Sequence, residues 1–395
     1  MQTIVKIIAT TLVALVIFGS GAGTGYFLRD TWLDDQPTED AAEDFSLYWE
    51  VWNRVEEQFY GEVPETPSST YGAIKGSLAT LNDPYTIFIE PEPAAQEKAQ
   101  LEGQFGGIGA FVQTDEAGRI ILDPMPDQAA EKAGLQSGDV LIAIDGEPLA
   151  SETTVDQVVA LIRGEVGTEI ILTIERAGEA DPIDIAIERA VIETPSATWR
   201  ILEEDPKIGY IRLTSFTERS NSEVERAIEE LATQGAESLI LDLRGNGGGL
   251  LESAVDIASQ FLRNGVVLRE DRKSEGERTY EVRGGGKALD QPLVLLVDGG
   301  TASASEIVAG ALHDYNRATL VGEKTFGKGS VQLIYELSDD SRLHVTVAKW
   351  FTPNKNAIDG IGLKPDIEAL FTEEDHAQGR DVQLNRAISF LQNGT

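Results

Sequence analysis

Two short runs in the last third of the chain are almost entirely apolar, and each leads into a glycine-containing turn followed by a helical pattern. They occupy residues 238–243 and 292–297. Strands that are apolar along their whole length are typical of parallel sheets covered by helices on both faces. A further strand pattern at 208–213 and helical patterns at 222–234, 250–263 and 303–315 complete a βα alternation. The sequence therefore predicts an α/β fold for this part of the chain.

The preceding residues divide into segments of different character. Apolar and aromatic residues recur at helical spacing over 45–60 and 70–81, which predicts a small helical unit. From 103 to 190 the pattern changes to short strands separated by glycines, at 107–113, 119–123, 140–144, 169–176 and 183–188, with helices near 128–133 and 154–163. We predict five segments: 1–33 as an N-terminal membrane anchor or signal segment, 34–44 as an acidic spacer, 45–102 as the helical unit, 103–190 as a compact β-rich module, and 191–395 as the α/β core.

The N-terminal segment 7–28 contains no charged side chain. Its 22 residues, at about 1.5 Å rise each, match the roughly 30 Å hydrocarbon core of a bilayer. Lys6 precedes it and an acidic stretch follows it, which favours a cytoplasmic N-terminus by the positive-inside bias. We expect a retained transmembrane anchor, with the bulk of the chain outside the cytoplasm. The small residues of 19–23 leave a cleaved signal peptide open.

The composition excludes several classes of protein. With 32 Lys and Arg against 67 Asp and Glu, the net charge is −35, which argues against nucleic-acid binding. The absence of Cys removes disulfides, thiolate nucleophiles and Cys-ligated zinc. Only three His are present, and no H-E-x-x-H motif occurs. We predict no metal and no cofactor.

A glycine-rich turn, Arg244-Gly245-Asn246-Gly247-Gly248-Gly249, connects the strand at 238–243 to the next helical pattern. Successive glycines let backbone N–H groups converge on an anion at a helix N-terminus. Four glycines in five positions favour an anion-binding turn over a merely tight one.

Ser303 follows the strand at 292–297 and begins a helical pattern. A hydroxyl there meets the positive end of the helix dipole. Ser303 and Glu306 also fit a capping box, S-x-x-E, and this segment taken alone favours capping.

Lys328 lies 25 residues beyond Ser303, between Gly327 and Gly329. The alternation that follows predicts a strand with Lys328 and Gln332 on one face, so the carboxamide is able to orient the amine. A surface location is the default for any lysine, but lysines of an acidic chain usually have carboxylate neighbours, and this one is flanked by glycines.

Two alternatives involve the same region. Residues 322–328 match G-x-x-x-x-G-K, but Gly329 replaces the Ser or Thr of a phosphate-binding loop, and a strand pattern follows where a helix is required. Nucleotide binding is therefore not expected. A Ser-His-Asp triad through His313 or His344 stays open, because triads are defined in space.

Together these residues resemble the carboxyl-terminal processing peptidases, a Ser-Lys serine protease family of bacterial envelopes and chloroplasts. The resemblance runs from about residue 48 to 367. It is carried by Leu81-Asn82-Asp83-Pro84-Tyr85, Phe105-Gly106-Gly107-Ile108-Gly109, Gly138-Asp139-Val140-Leu141, Asp242-Leu243-Arg244, the segments 301–306 and 325–332, and Gly362-Leu363-Lys364-Pro365-Asp366.

The resemblance implies that Ser303 is the nucleophile, Lys328 the general base and Gln332 the residue that positions the lysine. A lysine accepts a proton only when neutral, so its pKa must fall from about 10.4 toward neutrality, which burial can cause. The resemblance also implies an oxyanion hole formed by Ala304 together with Gly248 or Gly249.

The segment 103–190 looks like a PDZ domain. In that family the loop Phe105-Gly106-Gly107-Ile108-Gly109 would present backbone N–H groups to the C-terminal carboxylate of a substrate, and the next strand would pair with the peptide. Protein or peptide substrates are thus the expected partners, and a homo-oligomer or an adaptor protein stays open.

The predicted fold class is α/β: a crotonase-like βα peptidase core with an inserted PDZ-like module and an N-terminal helical unit, preceded by one transmembrane segment. The predicted function is a serine endopeptidase that recognises substrate C-termini and cleaves by a Ser-Lys dyad. The alternative is a noncatalytic PDZ-containing envelope scaffold. The resemblance implies a bacterial cell envelope location, anchored in the membrane through the N-terminal segment, or secreted if that segment is cleaved.

Overall fold

The computed structural model describes residues 45–64, 66–115, 117–150, 152–273 and 275–394. The described residues divide into two compact units, one ending at residue 73 and the other beginning at residue 74. Helix α1 (Ser46–Gln58) belongs to the first unit, and helix α2 (Thr66–Ala79) continues across the division. Both correspond to the helical patterns predicted at 45–60 and 70–81. A short strand β1 (Ile87–Ile89) and helix α3 (Pro91–Glu102), which the sequence pattern did not reveal, lead to the next module.

In its described residues, the PDZ-like module consists of short strands and two helices. In chain order its elements are β2 (Gln104–Gly107), β3 (Ala110–Thr114), β4 (Ile120–Pro124), α4 (Ala129–Lys132), β5 (Asp139–Ile144), β6 (Glu147–Pro148), α5 (Val155–Ile162), β7 (Glu169–Glu175), β8 (Ile183–Glu188) and β9 (Ala190–Glu193). Strands β3, β4, β5, β7 and β8 form one sheet in that order, with β6 paired to β5. The alternating burial of β7 and β8 gives this sheet one apolar face, as period-2 patterning predicts.

The single strand predicted at 107–113 is two strands in the structure. Gly109 lies at φ 71°, a left-handed conformation that glycine adopts without steric cost, and the chain turns there. Strand β2 pairs with β9 and β3 pairs with β4. The turn therefore separates the glycine loop from the strand that follows it.

The remaining elements form the α/β core. They are β10 (Ala197–Ile201), β11 (Ile208–Leu213), α6 (Ser220–Thr233), β12 (Ser238–Asp242), α7 (Leu251–Phe261), β13 (Val266–Arg272), β14 (Gly276–Glu281), β15 (Leu293–Val297), α8 (Ala304–Asp314), β16 (Thr319–Gly322), β17 (Ser330–Glu336), β18 (Arg342–Phe351), β19 (Ile367–Glu368), α9 (Glu373–Gln378) and α10 (Val382–Asn393). The βα alternation predicted from the sequence is confirmed.

The central sheet has the order β10-β11-β12-β15-β16-β19, and it is parallel except for the antiparallel pair β10-β11. Its apolar strands are buried on both faces. Leu239 and Leu241 of β12 pack in the cluster that includes residues of α6, α7 and α8, whereas Ile240 packs with Leu384 and Ile388 of α10. Helices on both sides therefore account for the run of apolar residues.

A second sheet joins β1, β13, β14, β17 and β18, and β18 pairs with β17 along its length. The sequence predicted a strand that already included Lys328. In the structure β17 begins at Ser330, so Lys328 lies in the preceding loop. A register shift between Val331 and Gln332 also interrupts the alternation. Period-2 reasoning therefore does not relate Lys328 to Gln332.

The predicted fold class is corrected in one respect, its transmembrane segment. Within the described ranges, no helix combines the length and the apolar character needed to cross a bilayer. The predicted segment 7–28 and the spacer 34–44 lie outside the described residues. The fold is an α/β core with a PDZ-like module and preceding helices.

Candidate active site

The glycine-rich turn lies against the start of helix α8. A Cβ atom added to Gly248, which is at φ 105°, would lie 2.9 Å from Cβ of Ser303 and 3.0 Å from the backbone nitrogen of Ala304. The N–H of Gly248 donates to Oδ1 of the buried Asn246 at 2.9 Å. Asn246 in turn accepts at its carbonyl from the N–H of Ala302. The structure thus brings Gly248, Ser303 and Ala304 together.

Ser303 has a backbone conformation that few non-glycine residues adopt, φ 55° and ψ −116°. Such conformations cost on the order of 1–3 kcal/mol and persist only where the surroundings enforce them. Part of the enforcement is a 3.0 Å hydrogen bond from the Ser303 backbone N–H to Oε2 of Glu306. A sharp turn from strand to helix presents a serine side chain at the end of the sheet.

Glu306 is fully buried and its carboxylate joins two loops. Oε2 accepts the backbone N–H of Ser303 at 3.0 Å and that of Lys328 at 2.9 Å. Oε1 accepts the hydroxyl of Thr325 and the backbone N–H of Gly327. The capping interpretation of Glu306 is therefore correct but incomplete, since the same carboxylate also fixes the loop that carries the lysine.

The two glycines beside Lys328 allow close backbone packing. A Cβ added to Gly327 would lie 2.8 Å from the backbone nitrogen of Gly362, and one added to Gly329 would overlap the backbone of Asp359. On the other side, the indole N–H of Trp350 donates to the carbonyl of Lys328 at 2.9 Å. The loop is consequently enclosed between the segment 358–362 and strand β18.

Burial lowers the pKa of Lys328 from its usual value, whereas the negative charge of Glu97 acts in the opposite direction. A lowered lysine pKa is the condition for the amine to act as a base near neutral pH. The Nζ atom lies 4.9 Å from the centroid of the Tyr85 ring. The sequence had marked Tyr85 only as part of a family motif, and no local pattern linked it to Lys328.

Among the described residues, no hydrogen bond joins the side chain of Gln332 to Lys328. Its Nε2 atom donates to Oγ of Ser330 at 2.8 Å and to Oγ1 of Thr346 at 3.3 Å. Thr346 also donates its backbone N–H to the hydroxyl of Thr86. Gln332 therefore lies in a hydrogen-bond network that ties β17 and β18 to the segment carrying Tyr85. The alternation of residues in the sequence does not predict this network.

The histidines occupy other positions. His313 is near the last turn of α8, about 15 Å along the helix from Ser303 at 1.5 Å per residue, and its Nε2 atom lies 3.0 Å from Asp366. Nε2 of His344 lies 3.1 Å from Glu97. The helix length separates His313 from the serine, so a triad through His313 is wrong.

The predicted carboxylate-binding loop of the PDZ-like module spans β2 and the turn after it. The guanidinium carbon of Arg163 lies 4.2 Å from the centroid of the Phe105 ring, and Gly164 donates its N–H to the carbonyl of Gly106 at 3.2 Å. Ile108 is buried in the apolar core of the module. In the described sheet, β3 pairs with β4 alone, and β3 packs beside helix α5. This open strand edge next to a helix is the geometry to which an extended peptide adds as a further strand.

Comparison with known proteins identifies both modules. The profile of Peptidase family S41 matches residues 207–369, and a PDZ domain profile matches residues 120–176. A carboxy-terminal-processing protease of Bartonella bacilliformis is 36% identical over 345 residues, which cover 86% of this chain and 78% of that protein. A carboxyl-terminal-processing protease of Synechocystis is 37% identical over 350 residues, 87% of this chain and 82% of that protein. A crystal structure from Bacteroides fragilis assigned to the S41 proteases has a similar fold, with a TM-score of 0.51 and 18% identity over 85% of this chain and 93% of that one.

Proposed function

Since the chain belongs to the carboxy-terminal processing proteases of peptidase family S41, we propose that Ser303 and Lys328 form its catalytic dyad. The chain is a PDZ-containing serine protease. The observation that carries the assignment of residues is the shared anchor at Glu306, which fixes the backbone of the serine and of the lysine on one carboxylate. The partial burial that lowers the pKa of Lys328 supports its role as base.

The reaction follows from these groups. Neutral Lys328 takes the proton of the Ser303 hydroxyl as its oxygen attacks the carbonyl carbon of the substrate, which forms a tetrahedral intermediate. The intermediate releases the amine half of the substrate, which takes the proton from the Lys328 ammonium, and leaves an acyl-enzyme. Water then attacks the ester carbonyl carbon while the same lysine takes a proton from the water. The bond between the acyl carbon and Oγ of Ser303 breaks, Oγ takes the proton back from the ammonium, and the acyl half leaves as a carboxylic acid.

The proposed oxyanion hole combines the N–H of Ala304, at the first position of helix α8, with an N–H of the glycine turn. A helix N-terminus leaves such donors without intrahelical partners. The close approach of Gly248 to Ala304 supports this pairing, although its N–H donates to Asn246 in this structure and must leave that acceptor to bind an oxyanion. Gly249 is the alternative donor.

We further propose that the PDZ-like module recognises substrate C-termini. The loop 105–109 would bind the terminal carboxylate, and the open edge of β3 would pair with the peptide. Peptides with a free C-terminus should therefore be cleaved with a higher kcat/KM than the same peptides carrying a C-terminal amide. Equal cleavage of both forms would contradict this mode of recognition.

A fluorogenic peptide with a free C-terminus tests the dyad. Ser303→Ala and Lys328→Ala should each abolish turnover while thermal unfolding shows a retained fold. Turnover by folded Lys328→Ala would exclude the dyad. An inactive wild-type chain that still bound the peptide would support the scaffold alternative instead.

We also propose that the protease acts outside the cytoplasm, in the bacterial cell envelope or after secretion. The uncharged segment 7–28 followed by acidic residues supports export. Fusion of residues 1–44 to a reporter that is active only outside the cytoplasm tests this location. A reporter without activity would exclude it.

A further inference from the structure

The side chain that covers the Lys328 amine belongs to a segment on the N-terminal side of the PDZ-like module. The Nζ atom of Lys328 lies 4.9 Å from the centroid of the Tyr85 ring. An aromatic face attracts a cation within about 6 Å through its quadrupole, and this attraction requires the charge. Tyr85 is therefore placed to act differently on the charged and the neutral amine.

Tyr85 is held firmly in this position. Its backbone N–H donates to Oδ1 of Asp83 at 3.2 Å, and the hydroxyl of Thr86 donates to Oδ2 of Asp83 at 2.6 Å. Thr86 also accepts the backbone N–H of Thr346 at 3.1 Å, and β1 pairs with β18 directly afterwards. The backbone that carries the ring is thereby tied to the sheet that contains β17, which follows Lys328.

Charged groups reach this pair of side chains from several elements. Burial raises the pKa of Tyr85, and neighbouring carboxylates raise it further, so the ring stays a neutral phenol. Glu97 of α3 acts directly on the lysine. The carboxylates that face the pair are Glu97 of α3, Glu306 of α8, Asp83 before β1 and Asp359 in the loop after β18.

We propose that Tyr85 is a positioning residue for the general base, and that its ring stabilises the Lys328 ammonium as it forms. The inference rests on the proposed dyad. The proton passes from Oγ of Ser303 to Nζ of Lys328, so the amine is neutral before the step and cationic in the transition state. An interaction that exists only with the cation accelerates the step by stabilising the transition state.

This role has a characteristic pH dependence. The ring stabilises the ammonium of the resting enzyme as well as that of the transition state. Without the ring, a larger fraction of Lys328 is neutral, but each neutral amine is a weaker base by the same factor. The value of kcat/KM should fall at alkaline pH, where the resting lysine is neutral. It should stay nearly unchanged at acidic pH, where the lysine is cationic both before the reaction and in the transition state. A purely structural role would lower both regions equally.

The test measures kcat/KM against pH with the full chain and a fluorogenic peptide. For Tyr85→Leu we expect an alkaline plateau about tenfold lower, an inflection about one pH unit lower, and convergence with the wild type at acidic pH. Tyr85→Phe keeps a ring, and its profile should lie between the two and nearer the wild type. Tyr335→Leu, which removes an exposed ring from β17, is the matched control and should follow the wild type.

Fluorinated phenylalanines at position 85 provide a second measurement if Tyr85→Leu fails to fold. They keep the shape of the ring and weaken its quadrupole, so the plateau should fall stepwise with each added fluorine. A plateau independent of fluorination, or profiles of Tyr85→Leu and wild type that run parallel at all pH values, would overturn the role of Tyr85. Neither outcome would affect the dyad, which fails only if the wild type lacks activity or Lys328→Ala retains it.

Discussion

Ser303 and Lys328 are fixed to one atom, because the backbone nitrogens of both donate to Oε2 of Glu306 at 3.0 and 2.9 Å. The sum of these two distances is the upper limit of the separation between the two nitrogens. The helix that begins after the serine and the loop that carries the lysine therefore cannot move apart without breaking a buried hydrogen bond.

We predict that Glu306→Gln lowers kcat about 100-fold, because small displacements of reacting groups have effects of that size. A carboxamide nitrogen cannot accept a hydrogen bond, so at least one buried donor loses its partner, which destabilises the fold by about 1–3 kcal/mol. Steady-state kinetics and thermal unfolding measure the two effects. Glu203→Gln, an exposed change, is the control. Unchanged kcat in Glu306→Gln would contradict the role of the shared anchor.

Lys328→Arg should be inactive, with kcat/KM reduced at least about 100-fold at every pH. Arginine keeps the positive charge but does not lose its proton in proteins, so it cannot serve as a base. The same peptide assay from neutral to alkaline pH measures this. Lys349→Arg changes an exposed lysine of β18 and should retain activity. Substantial activity of Lys328→Arg would mean that the charge, rather than proton transfer, is required.

Glu97→Gln should lower both the inflection pH and the alkaline plateau of the kcat/KM profile. The carboxylate of Glu97 raises the pKa of Lys328 against the lowering effect of burial. Its removal lets the pKa fall further, so a larger fraction of the lysine is neutral in mildly acidic solution. The same carboxylate also stabilises the ammonium in the transition state, so the neutral lysine becomes a less effective base. The inflection of the kcat/KM profile should therefore move to lower pH with a lower alkaline plateau, and the profiles of variant and wild type should converge at acidic pH.

Glu336→Gln is the matched control for Glu97. Both carboxylates contact Arg342, but only that of Glu97 acts on Lys328. The inflection and the plateau of the Glu336→Gln profile should coincide with those of the wild type. An inflection of the Glu97→Gln profile that is unchanged or moves to higher pH would contradict the electrostatic explanation.

Gly248→Ala should reduce kcat by about 100-fold or more, as expected when an oxyanion donor is displaced. Its new Cβ would lie 2.9 Å from Cβ of Ser303, at a positive φ that alanine adopts poorly. Gly247→Ala is the neighbouring control, since a Cβ there has no atom within 4 Å. Its free energy of unfolding should change by no more than about 0.5 kcal/mol. Equal activities of the two variants would exclude a role for the geometry at Gly248.

The fold was predictable wherever local patterns carried the information. Uniformly apolar strands and helical spacing identified the α/β core, because both depend on side chains a few residues apart. The prediction failed at Lys328, which lies in a loop before the strand, and a register shift disturbs the alternation inside the strand. Alternation describes a regular strand, and it does not indicate where the strand begins or where an extra residue disturbs it.

The sequence by itself determined the glycine-rich turn at 244–249, the helix that begins after Ser303 and the glycines that flank Lys328. Only the tertiary structure decided which groups surround the lysine. Thr86 meets Thr346 across 260 residues, and Glu97 meets His344 across 247. The pairing of β1 with β18 brings these distant segments side by side, and no local periodicity encodes that pairing. The position of Tyr85 over the Lys328 amine depends on that pairing, and so does the network around Gln332.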